Sequence, residues 1–100
     1  TDFNAGSNLT CSMAMAMSLA VLRLKLSPAE ALVAATMNSA WSLGLGTRVG
    51  SLEAGKQADM VILDTVDWKE WPYCYGVNLV RQVYKRGIPV LPLAPSEARA

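Results

Sequence analysis

Apolar positions change their spacing midway along this chain, dividing it into a helical first half and a strand-rich second half. From Leu9 to Leu24, Met13, Met17, Leu19, Ala20 and Leu24 recur at three- and four-residue steps, which predicts a helix with that stripe as core filler. Met13-Ala14-Met15-Ala16-Met17 also alternates with period two, so a strand competes; the helix preference of Ala and Met favours the helix. A second helix is announced by Ser27-Pro28-Ala29-Glu30. Ser27 can cap a first-turn amide, Pro28 fits the first helical position, and Glu30 can reach back to the Ser27 amide. Leu26 stands where a hydrophobic staple would fix the helix entry. Ala31, Ala34, Ala35 and Ala40 give this helix a small face for close packing, and Gly44 and Gly46 end it. Asn38 could cap a further short turn, which predicts a break near Met37.

From Gly50 the texture becomes one of strands and turns. Ala58-Asp59-Met60-Val61-Ile62-Leu63-Asp64 is a short apolar run bounded by acids, the pattern of a buried strand over Asp59–Leu63. Leu79 to Lys85 alternates, with Leu79, Arg81, Val83 and Lys85 on one side and Val80, Gln82 and Tyr84 on the other. Gly87 then turns the chain into Ile88-Pro89-Val90-Leu91, predicting a hairpin in a small sheet. Trp68, Trp71, Pro72 and Tyr73 fall in the connection and are expected to plug a seam between packed layers. The tail beyond Pro92 is expected to fray.

Composition narrows the function classes. With 52% hydrophobic and 17% charged residues over 100 positions, the chain reads as one compact piece with apolar surface to spare for burial against something else. The formal charge of +1 leaves no electrostatic footprint for nucleic acid or an anionic membrane. The Leu9–Leu22 run is shorter than the ~20 residues a bilayer needs and is diluted by Ser, Thr and Cys. No signal-peptide pattern opens the sequence, so a cytoplasmic location is expected. Cys11 and Cys74 form no metal-binding pattern; two buried free thiols are expected, with a disulfide as the alternative. The Asn8-Leu9-Thr10 sequon has no meaning without secretion.

Candidate chemistry concentrates in Thr1-Asp2-Phe3-Asn4-Ala5-Gly6-Ser7. Asp2 can ligate a metal or take a proton, while Asn4 and the amides around Gly6 can hold an anionic or carbonyl oxygen. The same residue types also make ordinary turns, so an active-site strand end and a plain turn are both open at this point. The sequence contains no His, so any metal at Asp2 needs ligands from elsewhere. Gly50 to Lys56 has the G-x-x-x-x-G-K skeleton of a phosphate-binding loop. Gln57 replaces the expected hydroxyl residue, Glu53 places a carboxylate in the cradle, and a strand follows where a helix should, so the phosphate reading fails. Gly44-Leu45-Gly46-Thr47-Arg48-Val49-Gly50 likewise lacks dinucleotide-binding spacing and a preceding strand.

Gly50 through Asp64 resembles the segment with which metal-dependent amidohydrolases leave their barrel and enter a small β-domain, and Pro28–Leu32 with Ala35–Asn38 resemble the preceding helices. The opening heptad is similar to the T-D-F-N-P-G-S of the imidazolonepropionase family, with Ala5 in place of Pro, and Tyr73-Cys74-Tyr75-Gly76-Val77-Asn78 resembles a late segment of that family. The resemblance is collinear from Thr1 to about Val90. It implies an α/β fold: the C-terminal fragment of a TIM-barrel amidohydrolase, with the last barrel strand at Thr1–Phe3 and two or three helices, followed by part of a small β-sandwich domain. The expected division is barrel end over 1–49, strands of the β-domain over 50–92 and a tail over 93–100.

The resemblance further implies hydrolysis of 4-imidazolone-5-propanoate to N-formimidoyl-L-glutamate in histidine degradation, with one Zn²⁺ or Fe ion. By position, Asp2 would be metal ligand and catalytic base, and Asn4, Gly6 and Ser7 would contact substrate or product. The implied partners are a small-molecule substrate and the remainder of the barrel, which would supply the other metal ligands; a homodimer is left open. Alone, the fragment is expected to be inactive. Another amidohydrolase, an aminohydrolase acting on a nucleobase-like ring, and a non-catalytic structural fragment are the alternatives.

Overall fold

The computed structural model describes residues 1–90. Helix α1 (Met13–Leu22) begins four residues later than the apolar run, because hydroxyls upstream compete for backbone amides. Thr10 Oγ1 accepts from the Ser12 amide at 3.2 Å, and Ser12 Oγ caps the helix by accepting from Met15 N at 3.2 Å. Of the predicted stripe, Met17 is buried and Ala20 packs against the core, while Met13, Leu19 and Leu24 are exposed; Ser18 and Val21 complete the buried face. A run apolar on nearly every side gives periodicity no basis for choosing a face.

Helix α2 (Pro28–Val33) starts on the capping box that its sequence announces. Ser27 Oγ accepts from Glu30 N at 3.1 Å, and Glu30 Oε1 accepts from Ser27 N at 2.9 Å. The Ser27 amide, with help from its hydroxyl, holds the Glu30 carboxyl below its ordinary range. The expected break near Met37 is instead a π-helical turn over Ala34–Asn38 that runs straight into α3 (Ser39–Ser42). Asn38 makes no side-chain cap there. Thr36 and Ser39 hydroxyls donate to the carbonyls of Leu32 and Ala34, both at 2.7 Å, which satisfies acceptors in the widened turn. Of the small face, Ala31 and Ala40 are buried and Ala34 is exposed. The helix ends at Gly44, where Gly44 N donates to Trp41 O and Leu45 N to Ala40 O at 3.0 and 2.9 Å, a Schellman pair.

The loop that follows folds back on the π turn. Lys56 Nζ donates to Gly46 O and Ser51 Oγ, both at 2.7 Å, and lies 3.1 Å from a Glu53 carboxylate oxygen. The would-be phosphate lysine therefore ties its own loop shut.

Three strands form one antiparallel sheet in the order β1–β2–β3: β1 (Met60–Leu63), β2 (Val80–Lys85) and β3 (Ile88–Pro89). All three predicted strands are present, each slightly shorter; Leu91 and the tail lie outside the described residues. Ile62 pairs with Gln82 and Leu63 with Val80, so Arg81 is the extra residue of a bulge that breaks the predicted alternation of β2. Arg86 and Gly87 turn the hairpin with φ of 54° and 78°, the two positive values a type I′ turn requires. Strand β1 is not the buried strand its composition suggested. Val61 and Ile62 are exposed, because β1 is a sheet edge and no second layer covers them among the described residues.

Helix α4 (Glu70–Tyr73), not anticipated as an element, packs across α1. Trp71 joins Met17, Val21 and Ala31 in the core and Pro72 is buried, so these two plug the seam, while Trp68 and Tyr73 face solvent. Leu9, Leu24, Leu43, Leu52 and Val66 also stand largely exposed.

Asp59 locks the sheet to its hairpin. Its carboxylate accepts from Lys85 Nζ at 2.6 Å, Gln57 Nε2 at 2.7 Å and Arg86 N at 2.9 Å. The Lys85 bond foremost, then those of Gln57 and the Arg86 amide, bring the carboxyl from 3.8 down to about 2. A carboxyl depressed on folding stabilises above its ordinary value, and that contribution is lost as pH falls from 3.8 through about 2. Urea midpoints of the complete protein should therefore fall across that window, and Asp59→Asn should shallow the fall. An unchanged acid slope would show that this cluster contributes nothing.

Candidate active site

The predicted site residues come together in one closed loop, Thr1 to Asn8, set directly before α1. Thr1–Phe3 is not a strand. A strand needs a neighbour for its ladder, and among the described residues none lies beside it. Among the described residues the loop's only ladder-like contact is the Asn4–Asn8 bridge, with Asn4 N to Asn8 O at 2.7 Å and Asn8 N to Asn4 O at 3.2 Å. Inside that bridge Asn4 Oδ1 accepts from Gly6 N at 3.0 Å, Ser7 N at 2.7 Å and Ser7 Oγ at 3.1 Å. Asn4 Nδ2 donates to Asp2 O at 2.8 Å. Asn4 thus organises the turn, with its amide oxygen occupying the concavity made by the Gly6 and Ser7 amides.

Asp2 itself is exposed and has φ of 53°, the left-handed region that costs a residue with a Cβ roughly 1–2 kcal/mol. None of the hydrogen bonds or ion pairs among the described residues engages its carboxylate, whose oxygens are free for a cation or a proton. Asn8, discounted in the sequence as an idle sequon, closes the loop: its Nδ2 donates to Thr1 O and its Oδ1 accepts from Thr10 N at 3.2 Å. Its signal is a contact seven residues back along the chain, which no periodicity or capping rule marks. From Asn8 the bonds pass through Thr10 and Ser12 to the first turn of α1, so the loop is braced on a helix.

A cavity of about 290 Å³ lies at the start of α1, lined by Ser12, Ser18, Cys74, Val77 and Asn78 among others. It brings the Tyr73–Asn78 segment onto α1, but none of Asp2, Asn4, Gly6 and Ser7 lines it. Both thiols are free; Cys74 is half-buried, and Cys11, expected to be buried, is exposed in the loop ahead of the helix cap.

A lone carboxylate suits a divalent ion as one hard oxygen ligand, but a catalytic zinc takes about three ligands from protein. Among the described residues no three of His, Cys, Asp and Glu gather in one place, so the donor set is incomplete there.

An amidohydrolase family profile matches residues 1–90. The chain belongs to the amidohydrolase family. Its curated relatives include the imidazolonepropionase of Solibacter usitatus, 47% identical over 87% of this chain. Those of Geobacillus thermodenitrificans and Thermoplasma volcanium are 46% and 48% identical over 87% and 80% of it. The chain spans about a fifth of the length of these relatives, 20–21%. Among solved structures it is similar to an Escherichia coli guanine deaminase, with TM-score 0.68 and 27% identity over 86% of this chain and 25% of that one. It is also similar to an adenosine deaminase from Xanthomonas campestris with bound zinc, with TM-score 0.64 and 28% identity over 87% of this chain and 24% of that one. Among the described residues no helix is long and apolar enough to cross a membrane.

Proposed function

We propose that this chain is the C-terminal part of a cytoplasmic, metal-dependent amidohydrolase that opens 4-imidazolone-5-propanoate to N-formimidoyl-L-glutamate. The observation that carries the reading is the free Asp2 carboxylate on a braced loop, in a chain 47% identical to an imidazolonepropionase over most of its length. Residues 1–49 would complete a TIM barrel, and 50–92 would contribute strands to a small β-sandwich. The exposed apolar side chains of α1, the Gly50 loop and β1 support this, since the remainder of such a protein would cover them.

In the reaction, a water oxygen joins the ring carbonyl carbon, the adjoining C–N bond breaks, and the departing ring nitrogen takes a proton. A bound Zn²⁺ or Fe ion would supply Lewis acidity and bring water's pKa toward ~7. Asp2 would hold that ion and accept the water's proton at a carboxylate oxygen. Asn4, Gly6 and Ser7 would line the substrate, with the Ser7 hydroxyl free to rotate toward a carboxylate or carbonyl oxygen.

The similarity to two deaminases favours one second reading, an aminohydrolase that releases ammonia from a nucleobase-like ring. The complete polypeptide loaded with Zn²⁺ decides between them. Ring opening of 4-imidazolone-5-propanoate without ammonia release is expected; ammonia from a nucleobase, with no ring opening, would select the aminohydrolase.

A further inference from the structure

Both peptide groups that flank the Asp2 Cα are held by side-chain amides. The Thr1 carbonyl accepts from Asn8 Nδ2, and the Asp2 carbonyl accepts from Asn4 Nδ2 at 2.8 Å. Between these two bonds lies the left-handed φ of 53°. A residue with a Cβ leaves that region unless its surroundings determine it, because αL crowds Cβ against the following carbonyl. Among the described residues the carboxylate makes no hydrogen bond or ion pair that could do so. The constraint therefore acts through the backbone, from two donors on separate residues of the loop, Asn4 and Asn8. The two asparagines are themselves joined by the Asn4–Asn8 bridge, and Asn8 is braced on Thr10, so the clamp is anchored to α1 rather than floating with the loop.

We propose that Asn4 and Asn8 are a pair of positioning residues that fix the Asp2 backbone and thereby aim its carboxylate. This rests on the reading of Asp2 as a metal ligand. It gives Asn4 a role beyond any contact with substrate, and it assigns a role to Asn8, which closes the loop but was not among the predicted site residues. The physical logic is pre-organisation. A carboxylate whose Cα is free to relax toward ordinary φ values swings away from its productive direction, and an ion then bears the cost of restoring it.

The test uses the complete protein and Zn²⁺, with affinity measured by chelator competition. Partners that orient a metal ligand are worth about 10–100-fold in affinity, so Asn8→Ala and Asn4→Ala should each weaken Zn²⁺ by that factor. In Asn8→Ala, kcat should fall in parallel while KM stays within about twofold, as for groups that act before substrate arrives. Asn8→Gln, which restores an amide donor, should recover part of the lost affinity. Thermal unfolding of the metal-free protein shows whether each variant is folded; if one alanine variant is not, the other carries the test. Wild-type Zn²⁺ affinity in the folded alanine variants, alongside lost affinity in Asp2→Asn, would overturn the positioning role alone. Retained affinity in Asp2→Asn would remove the metal reading and the positioning role with it. A rise in KM with unchanged Zn²⁺ affinity and kcat would make Asn8 a substrate contact instead.

Discussion

Asp2→Asn in the complete enzyme is expected to lower kcat by roughly 10²–10⁴-fold, the range associated with a lost general base, and to strip most of the bound metal. The substitution is nearly isosteric, and the bonds that hold this stretch run through the Thr1 and Asp2 carbonyls rather than the Asp2 side chain. The loop should therefore survive, and on the proposed reading the loss is chemical: an anionic oxygen for the ion and a proton acceptor for the water. Metal per polypeptide and kcat are measured on the same sample. A drop of only a few-fold at full metal occupancy would place Asp2 outside the site.

The parts of this structure that could be read from the sequence are those fixed by short-range chemistry. The Ser27–Glu30 capping box, the glycine stop at Gly44, the strand at Met60–Leu63 and the turn at Gly87 each depend on residues within a few positions of one another. The helical face of α1 was legible only in part: Met17 and Ala20 of the predicted stripe do pack inward, but Met13 through Leu22 is apolar almost all round, and only packing against α2 and Trp71 selects Val21 over Met13 and Leu19. Nor was the Arg81 bulge, since an alternating pattern does not announce an inserted residue. The exposed Val61 and Ile62 were misread for a related reason: composition says that a strand can be buried, and the layers present decide whether it is.

The opening heptad divides along the same line. Its residue types pointed to metal, proton and oxyanion chemistry, and the loop gathers Asp2, Asn4, Gly6 and Ser7. Its form as a loop, however, depends on Asn8 reaching Thr1, a contact that the heptad does not encode. Asn4 illustrates the difference. As a residue type it is an oxygen binder, and in the fold the oxygens and amides it binds are those of its own loop.

A large stability effect away from the site is expected at Gly50. Its φ is +100°, and a Cβ there would sit 2.7 Å from the Ala40 Cβ and 3.2 Å from both the Met37 Cα and the Thr36 carbonyl oxygen. Those atoms belong to the π turn and α3, so the clash is with helical backbone and a side chain that has no rotamer to change. Gly50→Ala should combine backbone strain of about 1–3 kcal/mol with overpacking of about 1–3 kcal/mol, for a total of roughly 2–6 kcal/mol in the unfolding free energy of the complete protein. Gly55→Ala is the matched control. Its φ of +89° imposes a similar backbone cost, but nothing lies within 4 Å of the new methyl. Urea unfolding of the two variants therefore separates strain from contact, and Gly50→Ala should be the less stable by at least about 1 kcal/mol, the low end of the overpacking range. Equal losses would mean that the loop does not press on the π turn as described. A larger loss at Gly50 would show that the loop presses on the π turn at this point.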